Sequence, residues 1–188
     1  MKICIDPGHG GGNMGAVGTE PFRLEEKEFN LSLSVLLEEE FERRGHWTVM
    51  TRRRDRSLSL QARANFANRL GAEFFISIHA NGAETSAPEG MEVYHYPGSA
   101  AGANAANHIL EGMITVFPDH RKRGVKEANF AVLRLTDMPA VLVESEFITN
   151  PTQLRFLADQ ENQRNLAFGI ANGIDAIRKE EYVRAERA

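Results

Sequence analysis

Four polar residues stand where this chain can build a metal centre with a base beside it. His9 follows the apolar run KICID (2–6) after a Pro-Gly turn, and glycines surround it in PGHGGG. His79 closes EFFISIH (73–79), Glu144 closes AVLVE (140–144), and Glu26 opens a long helical pattern. Each alone has an ordinary reading. A histidine at a strand end is commonly a hydrogen-bonded structural residue, and a glutamate in a helix first turn is favoured by the helix dipole. Glu144 resists that reading, because an unpaired carboxylate buried in an apolar run is costly. Two imidazoles and a carboxylate with one position open make a common catalytic zinc site. The other carboxylate is then free to act as a general base. Zinc lowers the pKa of water to about 7 and polarises a carbonyl oxygen. That is machinery for amide hydrolysis.

The elements that must position these residues follow from hydrophobic spacing. KICID, EFFISIH and AVLVE are almost continuously apolar, as strands covered on both faces are. WTVMT (47–51) and FAVLRL (130–135) are further strand candidates, and GMEVYHY (90–96) alternates like a less buried or edge strand. From Glu25 to Arg44, Phe29, Leu33, Leu36, Leu37 and Phe41 recur at helical spacing, and Gly45 stops the helix. Ser59 caps a second helix carrying Ala62, Phe66, Ala67 and Leu70, closed by Gly71. Two more helices are predicted around 99–116 and 160–181. The alternation predicts a single α/β domain: a central, mostly parallel (mixed) β-sheet with helices on both faces. In such sheets ligands bind outside the carboxyl ends of the strands, where His9, His79 and Glu144 are delivered.

Composition narrows the function. The 188 residues suit one domain with a real core, and a net charge of −4 argues against a nucleic-acid partner. The single cysteine, Cys4, lies in an apolar run and reads as a buried thiol. No signal peptide opens the sequence and no apolar stretch approaches the ~20 residues of a membrane span. Export is therefore expected to need cell lysis, a holin or a longer exported chain. His46, His95, His108 and His120 read as surface or loop residues, and Arg52–Arg54 and Arg121–Arg123 as solvated charge.

IDPGHGGGNMGAVG, EKEFN, FISIHAN and MPAVLVESEFITN, in that order, resemble the motifs of the zinc-dependent N-acetylmuramoyl-L-alanine amidases of bacterial autolysins and phage endolysins. RGVKEANFAVLR (123–134) is a further family-like stretch. The resemblance implies one Zn2+ per chain on His9, Glu26 and His79, with Glu144 as catalytic base. Glu26 is chosen over Glu25 by the register of Lys27 and Asn30. The implied substrate is peptidoglycan, cut at the amide between the lactyl group of N-acetylmuramic acid and the L-alanine of the stem peptide. It also implies a catalytic domain over 1–180, a charged tail over 181–188, and a monomer. Asn81 is a candidate substrate contact, and Asp6 a candidate to orient His9. The glycines after His9 are expected to let metal and glycopeptide approach the backbone. Glu28 and Glu146 depart from the family pattern, which has aspartate and a small residue there.

Three other readings compete. Gly10, Gly12 and Gly15 match a dinucleotide fingerprint, but Pro21 stands where the phosphate-binding helix must open. A wall-binding domain without catalysis has no use for a buried Glu144. A zinc peptidase cutting inside the stem peptide shares the metal site, and only the ordered motifs speak against it.

Overall fold

Alternation of side chains along the central strands decides where the site lies. The structure is a computed structural model describing residues 1–186, with side chains up to Glu180. The chain forms β1 (Lys2–Pro7), a hairpin of β2 (Val17–Gly18) and β3 (Leu24–Glu25), α1 (Glu26–Arg43), β4 (Trp47–Met50) and α2 (Leu60–Arg69). It continues through β5 (Phe74–Asn81), β6 (Met91–His95), α3 (Ala100–Val116), β7 (Lys122–Glu127) and α4 (Ala131–Arg134). Then follow β8 (Ala140–Phe147), α5 (Pro151–Ala158) and α6 (Gln160–Glu186). Six strands make one sheet in the order β4-β1-β5-β8-β6-β7, parallel except where β6 meets β8.

Successive residues of a strand point to opposite faces. Ile3, Ile5, Ile76, Ile78, Val141 and Val143 join α1, α3 and α6 in one large core. Cys4, Phe75, Ala140 and Leu142 face the other way, into a smaller core with residues of α2 and α4. Towards the carboxyl ends this second face turns polar: Cys4 gives way to Asp6, Phe75 to Ser77 and His79, and Leu142 to Glu144. The expected mixed α/β sheet with helices on both faces is what forms. Cys4 is fully buried, and its thiol is pushed up by burial and by nearby Asp6.

Several boundaries differ from expectation. Residues 130–135 are not a strand: Phe130 stands at the N-cap of the short α4, and Thr136 Oγ1 donates back to the Val132 and Leu133 carbonyls. The edge strand is β7 instead, whose KRGVKE sequence hides it because little of it is apolar. GMEVYHY is an inner strand, flanked by β8 and β7, with Glu92 buried by ionic pairing. Glu144 lies inside β8 and not at its end. α5 was absent from the hydrophobic pattern; Asn150 caps it and Pro151 opens it. The backbone of α6 runs on to Glu186, while the side chains of the expected tail, 181–188, lie outside the described residues.

His46 and His95 are buried, against expectation. His46 packs edge-on to Phe41 and reaches Asp175 at 3.3 Å, and His120 pairs with buried Glu146 at 3.0 Å.

α3 and α6 pack through glycines. A Cβ at Gly173 would lie 2.5 Å from Ile109 Cα and 2.6 Å from the His108 carbonyl oxygen. Gly173→Ala is expected to destabilise the protein: overpacking costs about 1–3 kcal/mol against roughly 1 kcal/mol gained in helix propensity. A urea midpoint equal to or above wild type would contradict this close packing.

Candidate active site

The turn after β1 is held by two arginines. His9 has φ 59°, a left-handed conformation rare outside glycine. Arg52, 1% exposed, donates from Nε to the Pro7 carbonyl at 2.9 Å and from Nη2 to those of Gly8 and Lys27 at 2.8 and 2.9 Å. Arg63 donates to the Pro7 and His9 carbonyls at 2.7 and 2.6 Å. Sequence reasoning placed Arg52 in solvent; burial at the turn overrules that reading. Asp6 was expected to orient His9, but its carboxylate accepts from Thr51 Oγ1 (2.5 Å), Arg63 Nη1 (2.8 Å) and Ser77 Oγ (2.9 Å) instead. It steadies the turn through Arg63. The side chain beside the His9 ring is Asn13, whose Oδ1 lies 3.0 Å from Nδ1 and also accepts from the Gly15 amide.

Three ligand-type side chains converge above this turn. Glu26 Oε2 lies 3.1 Å from His9 Nε2, and Glu26 Oε1 lies 2.8 Å from His79 Nδ1. One ligand atom from each residue lies within 4.8 Å of the others, a spacing able to hold a metal ion. Glu26 is 4% exposed and further anchored by the Ala16 amide and by Asn30 Nδ2. Glu25, the alternative in the register, instead forms the capping box of α1 and pairs with Arg23 and Lys27. Burial pushes the Glu26 carboxyl up, but hydrogen bonds from His79 and His9 outweigh it and hold it well below the usual carboxylate range. The same contact with Glu26 raises His9. Gly8 and Gly15 make room for these ligands: a Cβ at Gly8 would strike the His79 ring, and one at Gly15 would strike Glu26 and His9. The glycines thus serve the chain's own side chains first.

Glu144 stands apart. On β8 it is the direct neighbour of His79 on β5, and its Oε2 is buried with no hydrogen-bond partner among the described residues. Burial, then the charges of Glu26 and Glu92, raise its carboxyl well above the ordinary value. His9, His79 and Glu144 line one cleft of about 570 Å³, bounded on its apolar side by Leu58, Leu60, Phe130 and Val132. Asn81 is not among the lining residues: its Nδ2 donates to Glu92 at 2.7 Å and its Oδ1 accepts from the Gly82 amide. No helix opens after Gly15, where the β2–β3 hairpin follows, so the dinucleotide reading has no phosphate site.

A cleft at the carboxyl ends of the central strands, with three converging ligand-type side chains and a separate buried carboxylate, is an arrangement suited to hydrolysis. The family of the chain follows from comparison. The sequence profile of the N-acetylmuramoyl-L-alanine amidases matches residues 3–176. The N-acetylmuramoyl-L-alanine amidase CwlM of Bacillus licheniformis is 38% identical over 176 residues, which is 93% of this chain and 67% of that one. The sporulation-specific N-acetylmuramoyl-L-alanine amidase of Bacillus subtilis is 37% identical over 179 residues, with 93% and 67% covered. The crystal structure of an N-acetylmuramoyl-L-alanine amidase from Clostridium difficile 630 matches with a TM-score of 0.89 at 30% identity, over 93% of this chain and 95% of that one. The chain belongs to the N-acetylmuramoyl-L-alanine amidase family.

The Asp6–Arg63 pair under the turn can be tested directly. Arg63→Met leaves a buried carboxylate without its cation and is expected to cost about 3–5 kcal/mol. Adding Asp6→Asn should cost less than the sum of the single changes, by about 0.5–3 kcal/mol of coupling. Urea unfolding of the four proteins measures this, and strictly additive losses would show the pair uncoupled.

Proposed function

We propose that this chain hydrolyses the amide between the lactyl group of N-acetylmuramic acid and the L-alanine of the peptidoglycan stem peptide, using one zinc ion on His9, Glu26 and His79. The observation that carries the reading is Glu144: a buried oxygen without a hydrogen-bond partner among the described residues, beside three ligand-type side chains that converge. The donor set suits zinc, two imidazoles with one carboxylate and room for more. When bound, zinc supplies Lewis acidity towards a carbonyl oxygen and towards water.

The remaining work falls to the chain. Glu144 takes a proton from the attacking water, whose oxygen forms the new bond to the lactyl carbonyl carbon. As the carbon–nitrogen bond breaks, Glu144 hands that proton to the alanine nitrogen. The products are a muramoyl carboxylate and a peptide with a free amino terminus. A carboxyl raised well above the ordinary value by burial holds a proton more readily than a free one, which suits a group that must return the proton it takes. Asn13 Oδ1 at His9 Nδ1 and Ser77 Oγ at His79 Nε2 hold each imidazole by the ring nitrogen that faces away from Glu26, so little reorganisation is left for the reaction.

The protein acts on the cell wall. Among the described residues no helix is long and apolar enough to cross a membrane.

Digestion of purified peptidoglycan by wild type and Glu144→Gln, with mass spectrometry of products and zinc analysis of both proteins, tests the reading. Wild type should release intact stem peptides beginning with free alanine. Glu144→Gln should keep its zinc and lose at least about 100-fold in rate, the contribution general acid–base catalysis makes. Cuts inside the peptide would make the protein a peptidase. Full activity in the variant would remove Glu144 from the chemistry.

A further inference from the structure

The row of cross-strand neighbours that holds Glu144 continues beyond it. Glu92 on β6 is its direct antiparallel partner, so the two side chains share one face of the sheet. Glu92 is 2% exposed and accepts four hydrogen bonds. Its Oε1 takes Asn81 Nδ2 at 2.7 Å and Tyr94 OH at 2.8 Å; its Oε2 takes Arg123 Nε at 2.6 Å and Lys126 Nζ at 2.5 Å. The mutual charge is unequal: one carboxylate answers two cations and leaves a positive charge over. The exposure is unequal too. Beside the buried carboxylate, the Lys126 and Arg123 side chains are 36% and 25% exposed.

Lys126 carries three N–H donors, and Glu92 is the one acceptor that meets them among the described residues. The ammonium also lies 5.8 Å from the Tyr94 ring centroid, and its side chain is 36% exposed, so a ligand can reach it from solvent. Arg123 is steadied by the Glu89 carbonyl at 3.2 Å and by the Phe147 ring beneath it, 4.8 Å from the centroid. β7, which carries both cations, is an edge strand, and among the described residues no further strand covers them. A buried anion that serves only stability is often replaceable by apolar packing at no loss. Here it fixes two cations one strand over from Glu144, which lines the cleft.

We propose that Lys126, with Arg123 beside it, forms a carboxylate-binding subsite that takes an acidic group on the peptide side of the substrate. The proposal rests on the amidase reading, since a peptide held at the cleft by its amino end presents its carboxylates downstream. The head groups of Lys126 and Arg123 meet Glu92, whose strand adjoins that of Glu144, so the subsite lies about one strand spacing from Glu144, roughly 5 Å. An extended peptide covers that in roughly two residues. The carboxylate recognised therefore belongs to the first few residues after the cut.

Binding, not turnover, is the test. In the Glu144→Gln protein, titration calorimetry would compare an N-acetylmuramoyl peptide bearing free carboxylates with the same peptide fully amidated. The free acid should bind about tenfold more tightly, the effect of one charge-assisted hydrogen bond. Lys126→Ala should abolish that preference, and Lys126→Arg should keep it. Equal affinity for the two peptides, no binding of either, or a preference surviving Lys126→Ala overturns the subsite. Product analysis on the wild type stays independent. Release of alanine-terminated peptides without acid preference removes the subsite alone, and acid preference without release removes the reaction alone.

Discussion

The site depends on a cationic clamp around three consecutive carbonyls. Pro7, Gly8 and His9 turn away from β1 with their oxygens pointing at Arg52 and Arg63, whose fixed fork of donors matches that spacing. A left-handed histidine costs about 1–3 kcal/mol, so the conformation persists only where its surroundings enforce it. Asp6 neutralises Arg63 from below, and Ser77 ties Asp6 to the strand that carries His79. The positions of the two imidazoles are therefore coupled through β1 and β5. Glu26 closes the arrangement from α1 by touching both rings.

Several carboxylates are removed from water here, and their partners sort their roles. Asp6, Glu26, Glu92 and Glu146 each accept several hydrogen bonds and serve as anchors. Glu144 is surrounded by apolar wall and by other carboxylates, and its charged form is disfavoured. Glu92 and Glu144, cross-strand partners on one sheet face, are thus pushed in opposite directions. Glu146, a departure from the family pattern, is used structurally: it accepts the Gly90 amide and pairs with His120, tying β8 to the segments around β6 and β7.

Much of this was legible in the residues themselves. The continuous apolar runs named the three central strands, and the polar residues that end them named His9, His79 and Glu144. What the runs concealed was the switch of one face from apolar to polar before each strand finished, which places Glu144 inside β8. β7 was hidden because its side chains are charged, and residues 130–135 misled because an apolar hexapeptide fits one helical turn as well as a strand. Asn13 carried a signal that sequence reasoning missed, an amide four residues after a histidine in a glycine loop. Arg52 carried none: a guanidinium buried against carbonyls looks in sequence like its exposed neighbours Arg53 and Arg54.

The two helical layers are unequal, α1, α3 and α6 on one side against α2 and the single turn of α4 on the other. The reacting groups lie on the lightly covered side, with Leu60 and Phe130 exposed along its lip. A cleft walled on one side by so little structure opens sideways to solvent, and a polymer need not be threaded by its end to reach the reacting groups.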